Sequence, residues 1–208
     1  AGVRRFVFVS TAKVYGEGRD QPYSEVDMYQ PVGPYAVSKA EAEAGILQLP
    51  KAMEVVVLQP PLVYGPGVKG NFYALMRLVQ LGVPLPLKAV DNARSMIALQ
   101  NLVSAILVGL QNDGIAGKRF LVSDGADLST ADLLRRLAAA LGRADRQWSV
   151  PVPWLRAMAQ LVGKKTLLSK LVDDFRVDSA YFTQCTGWVP PVSIDFALAE
   201  TAQWLTKK

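Results

Sequence analysis

The sequence predicts an α/β fold: part of a doubly wound parallel sheet with a smaller mixed α/β region after it. Two observations predict this fold. Continuous apolar runs, typical of strands buried in a parallel sheet, alternate along the chain with segments rich in helix-forming residues. The first two such runs are separated by a helix-length segment, which is the spacing of a βαβ unit.

The first βαβ unit covers the amino-terminal quarter of the chain. Arg5–Ser10 (RFVFVS) is β-branched or aromatic and is predicted to be a strand buried on both faces. Tyr35–Leu49 is rich in alanine and glutamate and is predicted to be a helix that Pro50 ends. Glu54–Gln59 (EVVVLQ) is the second buried strand.

The remaining elements follow a glycine-rich loop, VYGPGVKGN. Ser129 and Asp132 have the spacing of a capping box that opens one of the later helices. The predicted elements in chain order are a helix from Phe72 to about Leu81, a strand Arg94–Ala98, a helix Gln100–Leu110, a strand Lys118–Ser123, a helix from Ser129 to Leu141 closed by Gly142, and a terminal helix Ser193–Leu205.

The composition is that of a packed protein, since half of the 208 residues are hydrophobic and a fifth are charged. Cys185 is the single cysteine, which favours a reducing, cytoplasmic location. The longest apolar run, Leu102–Leu110, is too short to span a membrane, so no membrane contact is expected. The opening residues AGVRR lead straight into a strand, so we expect the sequence to begin inside a domain.

The net charge of +5 lies in scattered basic doublets that are not interleaved with aromatic residues. We therefore expect no nucleic-acid partner, and solvated faces with some attraction for a small anionic substrate. The chain has no histidine, which excludes Ser-His-Asp and Cys-His catalysis and every histidine-ligated metal site. Catalysis must use Tyr, Lys, Ser, Thr or carboxylate side chains, and no metal is expected.

One tyrosine is followed four residues later by a lysine. Tyr35 and Lys39 fall on one face of the predicted helix, and an ammonium close to a phenol favours the phenolate, the form that accepts a proton. Such a pair also arises by chance on helix surfaces. Thr11 ends the first strand, at the edge where doubly wound sheets bind ligands, so these three side chains are predicted to converge. The alternative for Thr11 is a hydroxyl that caps local backbone.

Four ordered segments carry a resemblance to a known family: RFVFVSTAKVYG, PYAVSKAEAE, VVVLQPPLVYGPG and RSMIALQNLVSAI. Together they resemble the extended short-chain dehydrogenase/reductases, which are nucleotide-sugar epimerases, dehydratases and reductases. The resemblance implies that residues 1–65 are the remainder of a Rossmann-like dinucleotide-binding domain. Residues 66–208 would be mainly substrate-binding, with about 94–124 packing back on the Rossmann domain.

The resemblance also implies roles for individual residues. The implied catalytic residues are Thr11, Tyr35 and Lys39; NAD or NADP would be bound by Ser10, Tyr35, Lys39 and Pro61; a UDP-sugar or similar nucleotide sugar would be bound by Thr11, Lys13, Asn71 and Arg94. A solvated lysine and a surface charge are the alternatives for Lys13 and Arg94.

The chain departs from the family pattern in several places. The G-x-x-G-x-x-G turn and the first βαβ units do not occur in this sequence, so these 208 residues alone are expected to bind the dinucleotide poorly. Gln59 stands where an arginine is usual, Leu62 where an asparagine is usual and Gln100 where an aspartate is usual. Ala12–Lys13 replaces the Asp-Glu pair of the dehydratases, which disfavours dehydration.

The resemblance therefore implies hydride transfer at C4 of a nucleotide sugar, either 4-epimerisation or 4-keto reduction, in surface-polysaccharide or nucleotide-sugar metabolism. The alternatives are a non-catalytic, cofactor-sensing or interaction protein on the same fold, or an inactive fragment. The full-length protein is expected to be a homodimer that pairs through Tyr35–Leu49, whose alanines permit close packing.

Overall fold

The computed structural model describes residues 2–48 and 53–207. The last residues of the first predicted helix and its stop, Leu49 and Pro50, lie outside these ranges. The strands are β1 (Arg5–Val9), β2 (Glu54–Gln59), β3 (Leu62–Tyr64), β4 (Met96–Ala98) and β5 (Arg119–Leu121). The helices are α1 (Pro34–Leu47), α2 (Gly70–Gln80), α3 (Leu99–Gln111), α4 (Thr130–Ala140), α5 (Val152–Leu161), α6 (Lys165–Val172), α7 (Ala180–Thr186) and α8 (Ile194–Thr206), with a 3-10 turn at Ala12–Tyr15.

The central sheet is parallel and has the order β1-β2-β5. Val7 and Val9 of β1 pack on the side of the sheet covered by α3, where Val7 meets Gly109. Phe8 contacts Lys39 of α1. Alternate residues of a strand point to opposite faces, so α1 and α3 cover opposite faces. This is the predicted α/β arrangement.

The first strand differs from the prediction of burial on both faces. Phe6 is 39% exposed and its neighbours in β1 are only partly buried, whereas five of the six residues of β2 are fully buried. The reason is position in the sheet: within the described ranges β1 has one hydrogen-bonded neighbour, and β2 has two.

A second, smaller sheet pairs β3 with β4 in parallel. The predicted strand Arg94–Ala98 is shorter than expected, because only Met96–Ala98 pairs with β3. The backbone of Arg94 instead exchanges hydrogen bonds with Leu128, at 3.0 and 3.1 Å, and Ser95 donates to the Phe175 carbonyl oxygen at 2.9 Å. These bonds draw three distant segments together beside the carboxyl ends of the main sheet.

The carboxyl-terminal region has its own core, formed mainly by α2, α4 and α8 with α5 against them. The Ser129 hydroxyl caps α4 by accepting from the Asp132 amide at 3.0 Å, and Ser193 caps α8 in the same way. Residues of β5 and α3 pack with the central sheet, while the division into domains stays a prediction. In the described ranges, no helix combines the length and apolarity that crossing a bilayer requires.

Candidate active site at the carboxyl ends of the strands

One cavity of about 390 Å³ lies between the carboxyl ends of the sheet and the carboxyl-terminal region. Six of the residues predicted from the sequence line it: Thr11, Lys13, Tyr35, Pro61, Asn71 and Arg94. They come from five separate stretches of the chain, so the fold brings together what the sequence keeps apart. The rest of the lining is largely apolar and includes Leu75, Met96 and Leu133.

The strand end holds Thr11 rigidly. The Ser10 amide donates to the Leu58 carbonyl oxygen and the Ala12 amide to the Pro60 carbonyl oxygen, both at 2.8 Å. The Thr11 hydroxyl accepts from the Lys13 amide at 3.3 Å and so caps the 3-10 turn. Thr11 therefore caps local backbone, as the alternative prediction stated. Its side chain also lines the cavity, and its hydroxyl can still donate a hydrogen bond.

Tyr35 is the second residue of α1, after Pro34, whose fixed φ suits the first helical position. Its side chain is 57% exposed and faces the cavity. Lys39 lies one turn further along α1 and is not part of the cavity lining. Its ammonium donates to the Val9 carbonyl oxygen at 3.0 Å and sits 4.8 Å from the centre of the Phe8 ring, rather than bonding Tyr35.

A buried polar network fixes α1 against β2. Glu43, a third member of the Tyr35–Lys39 face, is fully buried and accepts two bonds from the Gln59 amide, at 2.9 and 3.1 Å. The Tyr15 hydroxyl donates to the other side of that amide at 2.8 Å, and the Tyr29 hydroxyl bonds Glu43. Gln59 stands where the family usually has an arginine, so neutral donors bond this side chain, and these bonds tie α1 to β2.

Arg94 is one of the four cationic side chains that line the cavity, with Lys13, Lys69 and Lys170. Its guanidinium donates to the Asp173 carbonyl oxygen at 2.7 Å and lies 5.9 Å from the Phe175 ring centre. Burial lowers the pKa of Arg94 below its ordinary value, which means that the cation is held away from water. Among the described residues no carboxylate forms an ion pair with it, so most of its donors remain available for an anion. This differs from the surface charge considered as the alternative.

Other cations surround the same cavity. Lys13 lines it but pairs with Glu17 at 2.9 Å, close to the solvated-lysine alternative. Asn71 is exposed near the start of α2. Lys69 and Lys170 also line the cavity and were not predicted. Lys69 could have been predicted to line the cavity, because it lies two residues before Asn71 in the sequence. No feature of the amphipathic segment around Lys170 indicates that Lys170 does so.

Ser10 and Pro61, the remaining predicted cofactor residues, are both buried. The Ser10 hydroxyl has no hydrogen-bond partner among the described residues, although buried hydroxyls nearly always have one. The Lys39 ammonium has two further N–H groups beyond its bond to Val9. Neither Ser10 nor Lys39 lines the cavity, so of the predicted cofactor residues the cavity brings together Tyr35 and Pro61.

The structure shows where the three substituted positions, Gln59, Leu62 and Gln100, lie. Leu62 lines the cavity as part of its apolar wall, and Gln59 is the buried amide described above. Gln100 bonds Glu200 of α8 and ties that helix to α3. In the glycine loop, a Cβ on Gly65 would stand 2.8 Å from the Cβ of Leu99, so this turn requires glycine.

The fold and the site define a class: a Rossmann-type α/β protein whose ligand cavity lies at the carboxyl ends of its strands. A sequence profile described as the NAD dependent epimerase/dehydratase family matches residues 1–123, which is more than half of the chain. The chain belongs to the NAD-dependent epimerase/dehydratase family.

Curated relatives and solved structures agree with this family. The chain is 40% identical over 208 residues to a UDP-glucose 4-epimerase of Vibrio cholerae, covering 98% of this chain and 63% of that protein. It is 30% identical over 145 residues to a GDP-6-deoxy-D-mannose reductase of Pseudomonas aeruginosa, covering 64% of this chain and 47% of that protein. The structure of RMD from Pseudomonas aeruginosa complexed with NADPH superposes with a TM-score of 0.77 at 24% identity, covering 99% of this chain and 68% of that chain.

The chain thus spans less than two thirds of the length of the Vibrio cholerae relative. The cofactor expectation, NAD or NADP, agrees with the family description and with the NADPH in that structure.

Proposed function

We propose that the full-length protein moves a hydride between C4 of a nucleotide-diphosphate sugar and NAD or NADP. One observation carries the proposal: Thr11, Tyr35 and the unpaired Arg94 face a single cavity. A hydroxyl pair suits an alcohol–ketone conversion, and a buried cation suits the diphosphate. When bound, the nicotinamide supplies the hydride donor or acceptor.

The side chains of this chain handle the proton and the orientation. The Tyr35 hydroxyl exchanges the proton of the sugar C4 oxygen as general acid and base. Thr11, whose hydroxyl still has its proton to donate, holds that same oxygen. Lys39, one turn further along α1, holds the cofactor with Ser10 and Pro61 and has two N–H groups free for it beyond the bond to Val9. The Glu43–Gln59 network keeps α1, and hence Tyr35, in place.

The cationic and polar side chains of the cavity bind the anionic part of the substrate. Arg94 binds the diphosphate, with Asn71 and Lys13 as further contacts, and the apolar lining excludes water around the reacting sugar. Dehydration is not proposed, because Ala12 is fully buried and Lys13 is paired with Glu17 where an elimination would need an acid and a base.

Epimerisation at C4 is the first form of this activity that we propose, in line with the relative from Vibrio cholerae. Reduction of a 4-keto sugar is the second, favoured by the reductase relative from Pseudomonas aeruginosa. Purified full-length protein is incubated with UDP-glucose or UDP-galactose without added cofactor. Interconversion by retained NAD supports epimerisation, and stoichiometric consumption of NADPH with a 4-keto sugar supports reduction.

A non-catalytic, cofactor-sensing role remains the competing proposal. In that case the full-length protein should show neither epimerisation nor reduction. Calorimetry should still detect binding of a UDP-sugar or of the dinucleotide. The homodimer through α1 stays a prediction of the family resemblance, and sedimentation of the full-length protein tests it.

A further inference from the structure

The helix α5 carries an apolar stripe that the protein core does not use. Leu155 and Ala159 face the core, whereas Trp154, Met158 and Leu161 point outward and are 68%, 61% and 87% exposed. Their spacing of four and then three residues places them on one face of the helix. Large apolar side chains exposed as one contiguous stripe mark a contact surface rather than scattered surface hydrophobics.

The stripe continues into a basic turn. Val162 is exposed after α5, Gly163 reverses the chain with a positive φ, and Lys164 and Lys165 open α6. The Lys164 amide donates to the Ala159 carbonyl oxygen at 2.8 Å, which folds the turn back onto α5. We call residues 152–172 the α5–α6 hairpin.

The charge of this region is one-sided. Residues 147–172 contain Arg156, Lys164, Lys165 and Lys170 and no Asp or Glu, so four cations minus no anions give +4 of the chain's +5. Arg156 pairs with Asp173. Within the part of the chain that the structure describes, none of the three lysines forms an ion pair. The hairpin therefore presents free cations beside an exposed Trp-Met-Leu stripe.

We propose that the α5–α6 hairpin binds the surface of an anionic lipid bilayer. An amphipathic helix with a tryptophan and long aliphatic side chains on one face and lysines at its end is the type that lies in the membrane interface. A second copy of the chain is disfavoured as the occupant, because residues 147–172 of a partner contain no Asp or Glu to pair with these lysines.

The sequence led us to expect no membrane contact, since no apolar run is long enough to span. Surface binding needs no such run. The hairpin also contributes Lys170 and Leu171 to the cavity lining, so the proposed membrane contact adjoins the candidate active site.

The test is co-sedimentation of the full-length protein with vesicles of phosphatidylglycerol and phosphatidylcholine in equal parts, against vesicles of phosphatidylcholine alone. We expect binding to the anionic vesicles that added salt weakens. Met158→Gln with Leu161→Gln, and separately Lys164→Glu with Lys165→Glu, should each lower the affinity at least about tenfold.

Matched controls have equally exposed residues elsewhere: Val26→Gln with Met28→Gln, and Lys88→Glu with Lys207→Glu. These should leave vesicle binding unchanged, and circular dichroism should show that every variant is folded. The proposal is wrong if the parent protein does not sediment with anionic vesicles, or if the control pairs weaken binding as much as the hairpin pairs. It is also wrong if the Met158–Leu161 variant abolishes a dimer and leaves vesicle binding unchanged.

Discussion

Two polar regions of the molecule differ in how fully their hydrogen bonds are made: the amino end of the central sheet and the cavity beside its carboxyl end. At the amino end, the Arg5 side chain is only 5% exposed and is saturated: it bonds Glu54 at 2.7 Å and the carbonyl oxygens of Leu110 and Asn112 at 3.0 and 2.7 Å. At the carboxyl end, Ser10 has a buried hydroxyl without a described partner, and Arg94 makes one hydrogen bond to the protein.

The difference matches the structural role of Arg5 and the binding role proposed for Arg94. Saturated groups stabilise the fold, since a buried donor that loses its acceptor costs free energy. Arg94 lines the cavity and its side chain makes one hydrogen bond to the protein, so its remaining donors can meet a ligand under the proposed function. Variants of Arg94 and Arg5 compare the two regions directly.

The largest expected effect is on the rate. Tyr35→Phe removes the hydroxyl proposed as the acid and base, so the rate should fall by about 10²- to 10⁴-fold. Because the side chain is largely exposed, the thermal midpoint should not change. The matched control is Tyr181→Phe, also partly exposed and away from the cavity, which should keep the parent rate. If both variants lost a similar fraction of the parent rate, Tyr35 would not be the acid and base.

Substrate affinity should depend on the buried arginine of the cavity. Arg94→Met removes the cation that we propose binds the diphosphate, so the dissociation constant for UDP should rise by about tenfold to a hundredfold, as expected for charge-assisted bonds worth about 1.5–3 kcal/mol. The free energy of unfolding should fall by less than for Arg5→Met, because the Arg94 guanidinium makes a single hydrogen bond and the burial of its charge is costly. Calorimetric titration and urea unfolding measure the two quantities, and a loss of stability without loss of affinity contradicts this account.

The buried arginine at the opposite end should behave in reverse. Arg5→Met leaves the carbonyl oxygens around it without donors, so the free energy of unfolding should fall by about 1–3 kcal/mol while UDP affinity is unchanged. Urea unfolding of this variant, beside that of Arg94→Met, provides the direct contrast between the two ends. Equal effects of both substitutions on affinity would erase the distinction.

The smallest expected effect lies in the loop between Thr11 and Tyr35. A hydrogen bond from Arg19, and others from Ser24, lower the pKa of Asp27 below its ordinary value of 3.8. A lowered folded-state pKa stabilises the fold above the ordinary value, and this stability is lost as the pH falls through the folded-state value. Asp27→Asn should therefore cost less than about 1 kcal/mol at neutral pH and nothing in strong acid. Unfolding curves across that pH range measure the difference, and an equal cost at both ends would contradict it.

Strand and helix periodicity were enough to predict the main elements. Arg5–Ser10 and Glu54–Gln59 lie where expected, because apolar runs of this length have few alternatives in a parallel sheet. The predicted burial of β1 was too high, because an apolar segment of sequence does not show how many neighbouring strands it will have in the sheet. The backbone pairing of Arg94 with Leu128 was also invisible, because it joins residues far apart in sequence.

The candidate site was predicted through motifs rather than through chemistry alone. Tyr35 and Lys39 share a face because of helix geometry, and Thr11 follows from its place at a strand tip. The bond from Lys39 to the Val9 carbonyl and the membership of Lys170 in the cavity depend on tertiary packing. No local pattern encodes those contacts.

The most direct test of the central claim uses a nucleotide sugar with deuterium at C4 and the full-length protein. The reaction is quenched with acid before the first turnover is complete, because in an epimerisation the deuteride returns to the sugar at the end of the turnover, and the mass of the isolated nicotinamide is measured. The account predicts that deuterium appears on the nicotinamide ring in the parent protein and is greatly reduced in Tyr35→Phe. Deuterium that stays on the sugar throughout, or that is lost to water without reaching the nicotinamide, would contradict hydride transfer at this site.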